Sequence, residues 1–303
     1  MAGDPHWSKV ALLLHMDGSN GSTTFTDSKA GSAWTATGAT ISTAQAAPLT
    51  GNTASAVLSG AGQYVKSTSG TTYALAAGDF TIEAQVRFTA LPTAGNAFSV
   101  IYKYNGSTAC FGLRVVNTAG VYTLQLTLSA NGSTMVTSSA TFSPSINTWY
   151  AVAASRVSGT VYLSVDGTTT NAGTNSTSVI GSSVETYVGT KFSVGEYFNG
   201  HIDELRITIG KGRYTANYTP TSDPFPEIPA RISGTVKDSS DALVARAVHV
   251  HRRVDGVLSG IATSNATTGV FSIDALDDTA HYAVALPVSS AENAIILDNL
   301  IAV

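Results

Sequence analysis

The chain has 303 residues, a net charge of −4, 12% charged residues and a single cysteine, Cys110. No basic run is long enough to track a phosphate backbone, which argues against nucleic-acid binding. One thiol can build neither an intrachain disulfide nor a thiolate metal site. The weakly charged mixture, rich in Ser, Thr, Gly and Ala, argues against coiled coil and disorder. The early apolar run is broken by His15 and Asp17. It reads as neither a leader nor a span, so synthesis in a cytoplasm without membrane insertion is expected.

Residues 1–9 read as a polar arm in which Pro5 opposes helix. Residues 10–15 predict the first strand, followed by a long loop, DGSNGSTTFTDSKAGS. Residues 41–58 are weakly patterned, 63–66 form a short strand, and 73–78 a single helical turn. In DFTIEAQVRF, Phe80, Ile82, Ala84, Val86 and Phe88 share one parity, and Thr81, Glu83, Gln85 and Arg87 the other. That period of two is the mark of a strand with one buried face. Further strands are expected at 97–104, 110–116, 122–129 and 134–141, separated by Gly-containing turns such as Asn105-Gly106 and Asn131-Gly132. NTWYAVAASRVSGTVYLSVDG predicts a hairpin turning at Ser158-Gly159. Its first arm is apolar or small at both parities, which places it centrally, with Trp149 in the core.

After a polar loop at 170–183, strands at 186–190 and 201–209 close the domain. Pro220, Pro224, Pro226 and Pro229 stiffen the exit. The tail holds six short strand candidates: ISGTVKD, ARAVHVHRR, SGIATS, GVFSID, HYAVALPV and AIILDNLIAV. The expectation is an all-β protein. An arm at 1–9 precedes an antiparallel jelly-roll β-sandwich at 10–229, and a small immunoglobulin/transthyretin-like β-sandwich follows at 230–303.

Four pieces in order, LLLHMDGSNGSTTFTDS, GDFTIEAQVRF, NTWYAVAASR with VYLSVDG, and FNGHIDELRITIGKGRYTANYTP, resemble the laminin G-like, concanavalin A-like lectin/glucanase superfamily. The opening DPHWSKVALLLHMDG and the closing GKGRYTANYTPTSDPFP resemble modules of tailed-bacteriophage virion proteins. The tail is similar to carboxypeptidase-regulatory-like (transthyretin-like) domains. The resemblance implies a non-catalytic tail, fibre or decoration protein of the virion that adheres to host-surface glycan. The alternatives are a purely cementing component and a polysaccharide depolymerase. It also implies other virion proteins, host-surface carbohydrate and further copies of the chain as partners.

Sugar binding needs aromatic faces beside hydrogen-bonding groups. Trp34, Tyr102, Tyr104, Tyr197 and Phe198 lie near predicted loops and are the ligand-binding candidates; their structural alternative is to seal the ends of the sandwich. Calcium takes hard oxygen ligands. Asp17, Asn20 and Asp27 in the early loop, with Asp203, are the candidates, and turn chemistry is the alternative. The catalytic members of the superfamily carry Glu-x-Asp-x-x-Glu on one strand. The nearest segment here is His201-Ile202-Asp203-Glu204, without a third acid, so no catalytic residue is assigned. His249 and His251, with His281, are candidate zinc or nickel ligands; half-exposed strand histidines are the alternative.

Overall fold

The computed structural model describes residues 3–60, 62–67, 73–192, 195–275, 279–287 and 294–301. Apart from one 3-10 turn at Trp7–Lys9, the regular elements among them are antiparallel strands, and no helix is long and apolar enough to cross a membrane. Two compact units form: Lys9–Phe225, and Met1–Ser8 with Pro226–Val303.

The larger unit is two eight-stranded sheets facing each other. The first runs β14 (Thr168–Thr174), β13 (Thr160–Val165), β12 (Trp149–Val157), β7 (Phe80–Phe88), β16 (Asn199–Ile209), β5 (Ser55–Ser59), β4 (Thr40–Ser42). In addition β1 (Val10–Leu14) pairs with the second half of β16, beside the half that pairs with β5. The second sheet runs β11 (Val136–Thr141), β10 (Val121–Leu128), β9 (Ala109–Thr118), β8 (Ala97–Tyr104), β15 (Thr186–Val188), β6 (Tyr64–Lys66), β3 (Ser32–Thr37), β2 (Thr24–Asp27). One core fills the space between them. Phe80, Ile82, Ala84, Val86 and Phe88 of β7 face Ile101, Cys110, Phe111, Leu113, Leu124 and Leu126. The jelly-roll sandwich read from the sequence is therefore present, with the Trp149–Val157 arm between β7 and β13.

The opposite parity of β7 is also buried, and the reason lies far along the chain. Residues 211–225 lie across the outer face of the first sheet. Arg213 N–H donates to Thr81 Oγ1 (2.8 Å), and Tyr214 N–H to Ser155 Oγ (3.2 Å). Beneath them Glu83 accepts from Arg206 Nε (3.0 Å) and from the Tyr214 hydroxyl (2.7 Å). Tyr214 and Tyr218 stack at 3.8 Å, and the Arg206 guanidinium lies 3.7 Å from the Phe225 ring centroid. A buried charge needs such pairing and hydrogen bonding to be tolerated.

Several expectations are corrected. The early loop contains β2 and begins β3, and the polar loop at 170–183 begins in β14. Residues 73–78 form no helical turn; Ala76 bridges Val179 instead. Trp149 shares the parity of Ala151 and Ala153, opposite to the core-facing Tyr150 and Val152. It sits half-buried, 6.2 Å from the His201 ring.

In the smaller unit all six predicted strands form. β17 (Arg231–Thr235) pairs with β20 (Val270–Asp274). A four-stranded sheet runs β19 (Leu258–Thr263), β18 (Ala247–Arg252), β21 (His281–Ala285), β22 (Ile295–Leu300). Ile232, Phe271 and Ile273 from the pair meet Val248, Val250, Ala283 and Ala285 from the sheet. The first residues join this unit: Asp4 N–H donates to Ile228 O, and Ala230 N–H to Asp4 O.

Candidate functional site

The outer face of the second sheet gathers aromatic and charged side chains. On β6, Val65 enters the core, so Tyr64 and Lys66 point outward. On β15, Val188 enters the core and Tyr187 points outward. On β8, Tyr102 and Tyr104 share the outer parity, and register sets Tyr102 beside Tyr187 and Gly112. Gly112 is required there, because a Cβ would stand 2.3 Å from the Tyr102 ring. The loop after β15 folds back over this face and adds Lys191, Phe192 and Glu196.

A continuous strip of rings results. Tyr64 meets Tyr187 at 5.5 Å, Tyr187 meets Phe192 at 5.5 Å, Phe192 meets Tyr104 at 5.7 Å, and Tyr104 meets Tyr102 at 6.2 Å. These are the spacings of edge-to-face aromatic packing. Lys191 Nζ lies 5.6 and 5.5 Å from the Tyr102 and Tyr104 centroids, within cation–π range. Glu196 Oε1 accepts from Arg114 Nη1 (2.9 Å) and stands 3.9 Å from Lys191 Nζ. Its Oε2 accepts from Ser99 Oγ (2.7 Å). Glu196 has φ 51°, a costly conformation for a side-chain-bearing residue, and the Ser99 N–H bond to its carbonyl (3.0 Å) helps hold it. Burial pushes the Tyr102 phenol up. Burial, Glu185 and Tyr64 push Tyr187 up to about 12. Both hydroxyls therefore stay protonated at neutral pH. Tyr64, Tyr104, Lys191, Phe192, Arg114 and Glu196 are half-buried, so the strip meets solvent. Rings, cations and a carboxylate so arranged can stack on and hydrogen-bond a polar, ring-shaped ligand.

Of the sequence-derived ligand residues, Tyr102 and Tyr104 lie here, with Tyr102 at 1% exposure forming the floor. Trp34 (4%) and Phe198 (0%) are in the core, Phe198 against Phe88 and Phe98, so neither offers a face to a ligand. Tyr197 is half-buried in the loop after β15. Tyr64, Tyr187, Phe192, Lys191, Arg114 and Glu196 were missed. For Tyr64 and Tyr187 the usable signal was parity, since each neighbours a core valine.

The four calcium candidates do not form a cage. Asp27 Oδ1 accepts from Leu13 N–H (3.1 Å) and Lys29 N–H (2.9 Å), and Asn20 Oδ1 from Thr43 N–H (3.1 Å). Asp203 Oδ2 accepts from Ala47 N–H (3.0 Å) and Asn52 Nδ2 (2.8 Å), and its Oδ1 from Glu204 N–H (2.9 Å). Asp17 is exposed. Among the described residues no three His, Cys, Asp or Glu side chains converge on a metal position. Burial, with Glu204 and Asp17 nearby, drives the Asp203 carboxyl well above the ordinary carboxylate range.

Asp203 and Glu204 sit at a bulge in β16, where its pairing passes from β5 to β1. Glu204 is fully buried with φ 45°, bonded to His15 Nδ1 (2.6 Å) and to Phe225 N–H (2.7 Å). Both carboxyl groups hold chain together and neither faces a groove. A cleft of about 250 Å³, including space open to solvent, lies over Glu83 and Gln85 between Tyr218, Thr221 and Phe225.

Residues 59–209 match the laminin G profile of the concanavalin A-like lectin/glucanases superfamily. This lectin/glucanase-type profile spans the strands from β6 to β16, including every residue of the aromatic strip. Domain 4 of AbnA, a GH43 extracellular arabinanase from Geobacillus stearothermophilus in complex with arabinotriose, is similar at 20% identity. The match covers 67% of this chain and 93% of that one, with a TM-score of 0.48. Trypanosoma rangeli sialidase in complex with sialic acid is similar at 13% identity over 68% of this chain (TM-score 0.47), and the match spans 31% of the sialidase's length. The binding domain of botulinum neurotoxin DC in complex with SialylT is similar at 11% identity, over 95% of this chain and 69% of that one (TM-score 0.45). No curated protein matches the chain in sequence.

Proposed function

We propose that the larger unit is a non-catalytic glycan-binding module of a bacteriophage virion protein, and that it adheres to host-surface carbohydrate through the outer face of its second sheet. The observation that carries this reading is the strip Tyr64–Tyr187–Phe192–Tyr104–Tyr102, in which Tyr64, Phe192 and Tyr104 are half-buried above the buried rings of Tyr187 and Tyr102, flanked by Lys191, Arg114 and Glu196. An aromatic ring stacks on the apolar face of a pyranose, while charged and amide groups take its hydroxyls. Arg114, half-buried beside the strip, is held in place by Glu196. The virion setting rests on the resemblance of DPHWSKVALLLHMDG and GKGRYTANYTPTSDPFP to modules of tailed-phage particles. A glycan array and whole host cells, probed with the full chain, test it. Binding to at least one surface glycan is expected, and silence on both array and cells overturns it.

A cementing role is the second reading, favoured by β22. That strand is the edge of its four-stranded sheet, with Ile295 and Ile296 exposed and Ile301 exposed just beyond it. An exposed edge can take a strand from a neighbouring chain. Imaging of the particle separates the two: a distal position supports adhesion, and an inter-subunit position supports cementing.

A further inference from the structure

The four-stranded sheet of the smaller unit has one face on its core and one away from it. Val248 and Val250 of β18 point into the core, so His249 and His251, of the opposite parity, share the outer face. Their ring centroids are 6.3 Å apart. Cross-strand neighbours on that face are Ile261, Leu258, Val284 and Tyr282. Arg252 has the other parity, and its Nε donates to Asp255 Oδ1 at 3.0 Å, so no cation is set between the two imidazoles. His281, the third histidine of the sequence reading, does not join them. It shares the core parity of Ala283 and Ala285, is fully buried, and donates from Nδ1 to Thr279 O (2.7 Å).

His251 is held in one tautomer. Its Nδ1 lies 3.0 Å from the Gly256 carbonyl oxygen, which can only accept. The proton is therefore on Nδ1, and the Nε2 lone pair is free. The Tyr282 ring stacks on the imidazole at 5.1 Å and 11°, fixing its plane. A carbonyl that orients an imidazole through its second nitrogen is the usual outer partner of a metal-binding histidine. His249 makes no hydrogen bond among the described residues, so turning its ring toward His251 breaks no polar contact. With metal–nitrogen bonds of about 2.1 Å, two imidazoles on one ion stand roughly 5 Å apart between centroids, so closing the pair takes about 1 Å of ring movement.

We infer that His249 and His251 form a two-imidazole site for a late first-row divalent cation, Zn²⁺, Ni²⁺ or Cu²⁺, with water filling the other positions. Imidazole nitrogen suits these ions and not Ca²⁺ or Mg²⁺. Since no third His, Cys, Asp or Glu converges there among the described residues, the site is open and exchangeable, unlike a closed structural zinc. It is independent of the proposed glycan face.

The test titrates ZnCl₂ alone into the full chain, carrying no affinity tag, and follows the histidine ring proton resonances by NMR and the heat by calorimetry. One equivalent is expected to bind, shifting the His249 and His251 signals together, with CuCl₂ binding more tightly than ZnCl₂. His249→Gln and His251→Gln should each weaken binding by at least roughly tenfold in proteins confirmed folded by a cooperative melting transition. Saturable binding that persists in the double variant, shifts confined to other histidines, or no saturation below about 1 mM would each overturn the assignment.

Discussion

His201 shows how a single side chain is governed by what folds over it. The Ser55 hydroxyl donates to Gln45 O (2.6 Å), so His201 Nδ1, 3.0 Å away, must donate to Ser55 Oγ. Burial, then the Arg87 charge, lowers its pKa to about 4. Between pH 6.5 and 4 the unfolded chain takes up a proton that the folded chain refuses, so stability falls as pH drops through that window. The full effect is up to about 3 kcal/mol. Denaturant unfolding from pH 7 to pH 4 should show the parent losing that much more than His201→Gln. The elevated Asp203 carboxyl acts with the opposite sign in both proteins and cancels in the difference. Parallel pH curves would contradict the burial argument. At Gly112, substitution by Ala drives a methyl group into the Tyr102 ring. A loss of roughly 1–3 kcal/mol is expected, as for overpacking, together with a shifted Tyr102 environment that NMR would report. Neither residue's role was legible beforehand. Tyr102 was legible only as an aromatic near a predicted loop, and the sequence alone does not say that His201 and Ser55, 146 positions apart, are partners.

At the scale of the strand, legibility followed contrast. β7 and the hairpin of β12 and β13 alternate or stay apolar over many residues, and the six strands of the smaller unit are set off by turn residues. β14 escaped because Thr, Asn, Ala and Gly fill both of its parities, and β2 and β3 because each offers one large apolar residue, Phe25 or Trp34, among Ser, Thr and Ala. Their pairing comes from neighbours, not from a hydrophobic pattern. The second parity of β7 was read as solvent-facing because its cover, residues 211–225, follows more than a hundred positions later. That cover has a checkable cost. The Tyr214 hydroxyl donates to the buried carboxylate of Glu83, and burial and that charge hold the phenol far above its ordinary range. Tyr214→Phe keeps the ring and removes one donor to a buried anion, so a loss of about 1–3 kcal/mol is expected in thermal or urea unfolding. An unchanged midpoint would mean that water reaches Glu83.

Taken whole, the chain carries little charge and one extended sandwich whose two outer faces have different fates. The closing segment covers the outer face of the first sheet, and the second sheet offers a ring-lined, polar surface. The lectin/glucanase-type fold was legible because its pieces follow one another in order. The candidate site was legible only in Tyr102 and Tyr104, since its other members come from β6, β9, β15 and the loop after β15, and only the register of the second sheet brings them together. The sequence-derived choice of Trp34 and Phe198 failed because large rings near strand ends serve the core as readily as the surface. The most direct measurement is calorimetric titration of purified host-surface polysaccharide into the parent protein and into the Tyr104→Ala/Phe192→Ala variant, both confirmed folded by their melting temperatures. Stacking on these rings predicts saturable binding that falls at least roughly tenfold in the variant. Equal affinity in the two proteins would contradict the assignment of this face.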